Sequence, residues 1–90
     1  MDKVYPVQVT VKSIKGKCHE RMKQGTTWLI KEGKTPNGVC IYAWNSIYPV
    51  VRVFRHGGEH WWNLDRDVSY VSCPDPENQV IYEVKRLRKM

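Results

Sequence analysis

The spacing between apolar residues changes twice along this chain, and that change limits the folds it can adopt. Near the N-terminus, Val7, Val9 and Val11 alternate with polar residues, and a period of two with β-branched side chains is typical of a half-buried strand. In the middle, apolar residues recur at intervals of three and four, as on one face of a helix; they are Cys40, Ala43, Trp44, Ile47, Val51 and Phe54. Residues 80–84 return to a period of two. The pattern therefore predicts strands on both sides of a central helix.

Two further strands are expected at residues 26–31 and 68–73, which are rich in β-branched and aromatic residues. Residues 17–25 are polar and basic and predict a loop or a single helical turn, and residues 32–38 carry turn residues. Residues 74–78 predict the turn of a C-terminal hairpin. The fold class is therefore α+β: a small antiparallel sheet of about four strands in the order β-β-α-β-β, with one kinked or two short helices packed on one face.

The ends of the helical region also carry signals. Asn37 is a candidate N-cap, and Gly57 and Gly58 can supply the left-handed residue that ends a helix. Pro49 cannot donate a hydrogen bond to the carbonyl of Asn45. We favour two short helices, with Pro49 in the first turn of the second.

Length and composition indicate one folded domain spanning residues 1–90. Hydrophobic residues make up 41% and charged residues 27%, so disorder is not expected. No apolar run approaches the ~20 residues of a membrane-spanning helix, and the first six residues lack the apolar region of a secretory signal. We therefore expect a cytoplasmic protein with reduced thiols.

The net charge of +6 would attract anions. Eight of the fifteen basic residues lie in two stretches, at 15–23 and 85–89, which could equally be a solvated loop and a solvated tail. The sequence argues against nucleic-acid binding, because the helical stripe is apolar and no known binding motif is present.

The best candidates for chemistry are the three cysteines, Cys18, Cys40 and Cys73. A thiol in the first turn of a helix can become a thiolate at neutral pH, but Cys40 also falls on the apolar stripe and could simply pack in the core. If the three sulfurs met, with His19, His56 or His60 as a fourth ligand, they would suit zinc or an iron–sulfur cluster. Most structural zinc sites contain a Cys-x-x-Cys pair, and this chain has none.

Other residues are ambiguous. His56 and His60 flank Gly57, Gly58 and Glu59, where they could bind anions or act in acid–base chemistry, or be solvated at a helix end, which we favour. Asp75 could orient a thiol or a histidine, or serve only the Pro-Asp-Pro turn. The chain has four tryptophans, most of which should be core; one of the adjacent Trp61 and Trp62 is expected to line a pocket or an interface.

Several of these residues occur in a familiar order. The order begins with Cys18, Gly25, the Gly38-Val39-Cys40 segment and Ala43, and continues with the Gly57-Gly58 pair, Trp62, the Cys73-Pro74-Asp75-Pro76 turn and the closing strand at 80–84. In these features the chain resembles, nearly end to end, a family of small prokaryotic proteins of roughly ninety residues that carry an uncharacterised domain. Family members usually have an aromatic residue where this chain has His56. The resemblance supports treating the three thiols as a set and implies no particular reaction.

Together these observations predict a small cytosolic domain with a cysteine-centred site that binds a small anionic ligand or a metal, with thiolate catalysis as an open possibility. Cys40, Cys73 and His56 are the candidate catalytic residues, and Cys18, Gly57, Gly58, Trp62 and Asp75 are the candidate ligand-binding residues. A metal, if bound, would be held by Cys18, Cys40 and Cys73. The alternatives are an accessory protein that assembles with itself or with a larger enzyme, and a nucleic-acid-binding module.

Overall fold

The computed structural model describes residues 4–17 and 22–88, and its elements follow the predicted order. The strands are β1 (Val7–Ile14), β2 (Thr27–Ile30), β3 (Val68–Ser72) and β4 (Val80–Arg86), and helix α1 spans Ile41–Arg55. Every strand pair is antiparallel, and the strand order in the sheet is β2-β1-β4-β3. The predicted fold class and element order are therefore confirmed.

The core lies between α1 and one face of the sheet. The alternating residues of β1 and β4 point into it, as predicted, and so does the helical stripe. The fully buried side chains of these elements are Val7, Val9, Val11, Ala43, Ile47, Val51, Phe54, Val80, Tyr82 and Val84. Because burial of one large apolar side chain contributes about 1.5–3 kcal/mol, this layer supplies most of the stabilisation that holds α1 on the sheet.

The helix is a single element of 15 residues with Pro49 inside it, so the preference for two short helices is wrong. Pro49 and Asn45 are both exposed. Water can therefore solvate the Asn45 carbonyl that loses its usual donor. On the opposite side, Ile47 and Val51 are buried on either side of the proline, which keeps both halves of the helix on the same sheet.

The helix begins later than predicted. Its N-cap is Cys40 and not Asn37. Gly38 has a φ of 87°, which is the left-handed region and incompatible with a helix running from Asn37. The carbonyl of Asn37 instead accepts a hydrogen bond from the Trp28 indole N–H at 2.9 Å, which ties the loop before the helix to β2.

The predicted helix end is confirmed. Gly57 follows the C-cap residue His56 with a φ of 85°. The N–H of Gly57 donates to the carbonyl of Phe54, and the N–H of Gly58 donates to that of Val53. This pair of bonds is a Schellman motif, which requires a left-handed residue at the position of Gly57.

The tryptophans depart from expectation, because none of the four is fully buried. Trp28 and Trp44 are partly buried against the core, whereas Trp61 and Trp62 are 91% and 57% exposed. Within residues 4–17 and 22–88, no helix combines the length and the apolar character needed to cross a bilayer.

Candidate functional site

Cys40 and Cys73 lie at the ends of different elements, Cys40 at the start of α1 and Cys73 directly after β3. The C-terminal carbonyl of α1, on Arg55, accepts a hydrogen bond from Tyr5 just before β1, so the helix ends where β1 begins. Both cysteines pack against the hydrophobic core from these positions. Both thiols are half-buried. Cys18 lies outside the described residues.

The environment of Cys40 has one feature that favours a reactive thiol and one that does not. Cys40 is the N-cap residue, and its side chain makes no capping hydrogen bond to the helix. The backbone amides at a helix start favour a negative charge nearby. At the same time, Cys40 packs against the hydrophobic core, as the alternative interpretation of the sequence expected.

Cys73 is engaged by its own turn. Its sulfur accepts a hydrogen bond from the N–H of Val80 at 3.2 Å, and its thiol can donate to the carbonyl of Asn78 at 3.8 Å. The Asp75 carboxylate accepts hydrogen bonds from the N–H groups of Glu77 and Asn78. Both Cys73 and Asp75 therefore stabilise the β3–β4 turn.

No group of three histidine, cysteine or acidic residues within residues 4–17 and 22–88 is arranged to hold a metal ion. The proposed metal set depends on Cys18, which is outside those residues, so it stays a prediction.

The two histidines are in different environments. His56 is the exposed C-cap of α1. His60 is buried, contrary to the expectation that both are solvated, and its ring lies 4.9 Å from those of Phe54 and Trp62. Burial first, and then the charge of Arg86, lower the pKa of His60 below 6.5. Its Nδ1 atom has no hydrogen-bond partner among the described residues.

Arg86 is the residue that the sequence interpretation missed, since it belonged to the presumed solvated tail. Its side chain is 1% exposed and forms an ion pair with Asp67 at 2.9 Å. Its remaining N–H groups donate to the carbonyls of Phe54, Gly58 and Arg66. Arg86 therefore fastens the end of α1 and the loop that follows it to the start of β3.

Asp67 is shared between two arginines. The guanidinium of Arg88 also binds it, at 2.9 Å, and Arg88 is partly exposed. Hydrogen bonds from Arg88, and then from Arg86, lower the pKa of the Asp67 carboxyl. The carboxylate stays ionised and balances the buried guanidinium.

A cleft of about 270 Å³ lies between one side of α1 and the loop after β2. Its helix wall carries Trp44, Tyr48, Arg52 and His56. These residues are four apart and so follow one line along the helix surface. The rings of Trp44 and Tyr48 are 6.0 Å apart.

The cleft has an excess of positive charge. Lys34, Arg52 and Arg55 line it together with one acidic residue, Glu32. Lys34 and Glu32 approach to 3.8 Å as an exposed pair, which holds weakly. Arg55 donates to the carbonyl of Ile30. The Arg52 side chain has no hydrogen bond or ion pair within the described residues.

A second, more open hollow of about 750 Å³ adjoins the cleft across Tyr48, Arg52 and His56. Gly58 also lines it. Two of the sequence-predicted site residues, His56 and Gly58, therefore lie on this surface, whereas Gly57 serves the helix end. Arg52 and His56 therefore line two adjoining spaces that could hold a small ligand.

Trp62 lies elsewhere. With Tyr70, it lines a groove of about 500 Å³ over the outer face of β3 and β4. It therefore lines a pocket, as expected for one of the adjacent tryptophans, but not the cleft at α1.

No protein-family model, curated protein or solved structure matches this chain.

Proposed function

We propose that this chain binds a small anionic ligand in the cleft along α1. The observation that carries the proposal is Arg52, which lines two adjoining cavities and whose side chain has no hydrogen bond or ion pair within residues 4–17 and 22–88; Trp44 and Tyr48 lie next to it along the same helix face. Arginine binds phosphate and carboxylate groups through two parallel hydrogen bonds. An aromatic pair beside it provides a surface for a planar group.

The proposed ligand is therefore a phosphate or carboxylate attached to a planar ring. The anion would contact Arg52 and His56, with Lys34 and Arg55 adding positive potential. The ring would lie against Trp44 and Tyr48. This keeps the predicted class of ligand, gives His56 a role in binding the anion in place of the predicted catalytic role, and moves the centre of the site away from the cysteines.

The proposed ligand class is tested by titrating the protein with inorganic phosphate, adenosine monophosphate and adenosine. Binding is monitored through the chemical shifts of the backbone amides. Adenosine monophosphate should bind more tightly than phosphate, because its ring adds contact with the aromatic pair, and adenosine should bind weakest. The shifts should concentrate at Tyr48, Arg52 and His56.

The Arg52→Gln variant should weaken binding of adenosine monophosphate at least tenfold, since a hydrogen bond to a charged group contributes about 1.5–3 kcal/mol. Arg66→Gln is the matched control, because it removes the same charge from an exposed arginine on another part of the chain. Equal losses in both variants would show that only net charge matters, as in non-specific nucleic-acid binding, and would contradict the proposal.

A thiolate site at Cys40 stays a second proposal, supported by its position at the helix start and the lack of a capping bond. A metal held by Cys18, Cys40 and Cys73 is tested by elemental analysis of anaerobically purified protein. Stoichiometric zinc or iron that is lost in Cys40→Ser would support it.

A further inference from the structure

The groove over the outer face of β3 and β4 has the size and the lining of a second binding site. Its volume is about 500 Å³, which suits a small molecule. Its apolar lining consists of Trp62, Leu64, Val68 and Tyr70. Trp62 is a predicted ligand-binding residue that does not line the cleft along α1, so the groove gives it a place of its own.

The two aromatic rings of the groove are held by contacts within the protein. Tyr70 lies opposite Glu83 in the sheet, and its hydroxyl donates to the Glu83 carboxylate at 3.3 Å. Lys12 lies 3.7 Å from the same carboxylate, so Glu83 already has partners. The ring of Trp62 lies 4.9 Å from that of the buried His60. A ligand that enters the groove therefore meets rings that need little further ordering.

Two opposite charges line the same groove without pairing with each other. The Asp65 carboxylate accepts the backbone N–H of Asp67 at 2.9 Å. In the part of the chain that the structure describes, neither this carboxylate nor the Lys85 ammonium forms an ion pair. Val68 connects the two residues, because it lies opposite Lys85 and its N–H donates to the Asp65 carbonyl. An unpaired anion and an unpaired cation in one groove are complementary to a molecule that carries both charges.

A buried amide on the groove wall also lacks a partner. Asn63 lines the groove, and its Nδ2 atom is buried without a hydrogen-bond acceptor among residues 4–17 and 22–88. A buried donor that makes no hydrogen bond is unfavourable. A carboxylate oxygen of a bound molecule would supply the missing acceptor.

We propose that this groove binds a free amino acid with an aromatic side chain. The ammonium group of the ligand contacts Asp65. Its carboxylate contacts Lys85 and accepts a hydrogen bond from Asn63. Its ring packs against Trp62 and Tyr70. A free amino acid carries both charges on one carbon, whereas a residue inside a peptide carries neither and a peptide terminus carries one. The chemistry of the groove therefore selects the free molecule.

The test compares phenylalanine with four analogues, through the chemical shifts of the amides of Asn63, Leu64 and Tyr70. Hydrocinnamate and N-acetylphenylalanine lack the ammonium group, phenethylamine lacks the carboxylate, and alanine lacks the ring. Phenylalanine should bind most tightly, and loss of any one group should weaken binding about threefold or more, as expected for exposed ionic contacts. Because a carboxylate on a ring could also enter the cleft, the titrations are repeated in Arg52→Gln, where the groove affinities should be unchanged.

Two variants test the charged contacts. Asp65→Asn keeps an oxygen that can accept the N–H of Asp67, and Lys85→Gln changes an exposed side chain without a partner among the described residues, so both should fold. Each should weaken phenylalanine binding about threefold or more, and in Asp65→Asn phenylalanine should bind no more tightly than hydrocinnamate. Glu77→Gln and Lys31→Gln are the matched controls, because they remove the same charges from exposed residues outside the groove.

Three results would overturn the proposal. The first is that phenylalanine at millimolar concentration shifts none of the groove amides. The second is that hydrocinnamate or N-acetylphenylalanine binds as tightly as phenylalanine to the wild type, since the groove would then not recognise the ammonium group. The third is that the control variants lose as much affinity as Asp65→Asn and Lys85→Gln, since only net charge would then matter.

Discussion

Replacing Arg86 by methionine should destabilise this protein more than any other change to its basic residues. Methionine fills part of the space but removes the ion pair to Asp67 and the hydrogen bonds to three backbone carbonyls. Breaking a buried ion pair by removing one partner costs about 3–5 kcal/mol. The lower end applies here, because Asp67 is 24% exposed and keeps Arg88 as a partner.

The expected loss is therefore about 3 kcal/mol, a large part of the ~5–15 kcal/mol that stabilises a typical domain. For a chain of this size it corresponds to a fall in Tm of about 12–24 °C. Arg86→Lys should fall between wild type and Arg86→Met, since an ammonium cannot reproduce the planar set of donors.

Urea and thermal unfolding followed by circular dichroism measure these changes. Arg88→Met is the matched control. It removes the other partner of Asp67 from a side chain that is 37% exposed, and should cost less than about 1 kcal/mol. A loss below about 1 kcal/mol for Arg86→Met, or one no larger than that of Arg88→Met, would refute the structural role assigned to Arg86.

Two further predictions concern pH and thiol reactivity. The pKa of His60 is lowered in the folded protein, so below pH 6.5 the unfolded chain binds a proton that the folded chain excludes, and stability should fall as the pH drops from 6.5. His60→Phe should flatten this dependence in unfolding titrations between about pH 5 and 7; a pH dependence that is unchanged in this variant would contradict the prediction. In the folded protein Cys40 should be alkylated by iodoacetamide faster than Cys73, because the Cys73 sulfur is held by the N–H of Val80; site-resolved mass spectrometry showing the reverse order would contradict this.

Much of the fold could be predicted because the signals are local. Val7, Val9 and Val11 alternate within a few residues, and the double glycine at 57–58 marks a helix end through its own backbone freedom. The error at Asn37 is different. Asn37 has good N-cap chemistry, but its carbonyl is taken by Trp28 from another strand, and no local pattern reveals that contact.

The continuous helix has a similar explanation. The destabilising effect of Pro49 inside a helix is local and can be predicted from the sequence. The compensating burial of Ile47 and Val51 on the sheet depends on where the sheet lies. Packing of the helix against the sheet therefore keeps α1 continuous, although the local effect of Pro49 favours a break.

The burial of Arg86 and its pairing with Asp67 could have been predicted from the sequence. Arg86 continues the alternation of Val80, Tyr82 and Val84, so a strand that extends to residue 86 must point this arginine into the core. A charge there needs an acidic partner. Asp67 lies just before β3 at the position that pairs with Arg86, so the hairpin register alone brings the two together.

The cleft could not be found in this way. Its two walls, the loop after β2 and one side of α1, are brought together only by the fold. The row of Trp44, Tyr48, Arg52 and His56 is visible in the sequence at intervals of four. What the sequence does not show is that loop 31–35 lies opposite this row and encloses a space.

The buried arginine also decides how the proposed cleft must be tested. It binds the carbonyl of Phe54 at the end of α1, next to His56 of the cleft. A change at Arg86 would therefore disturb ligand binding without contacting a ligand. Since Arg52 is exposed and has no hydrogen bond or ion pair within the described residues, Arg52→Gln should weaken binding with the stability of the fold unchanged, whereas Arg86→Met should lower both. If Arg52→Gln lowered the stability as much as Arg86→Met, its loss of binding would reflect unfolding, and the role of Arg52 in the cleft would lose its support.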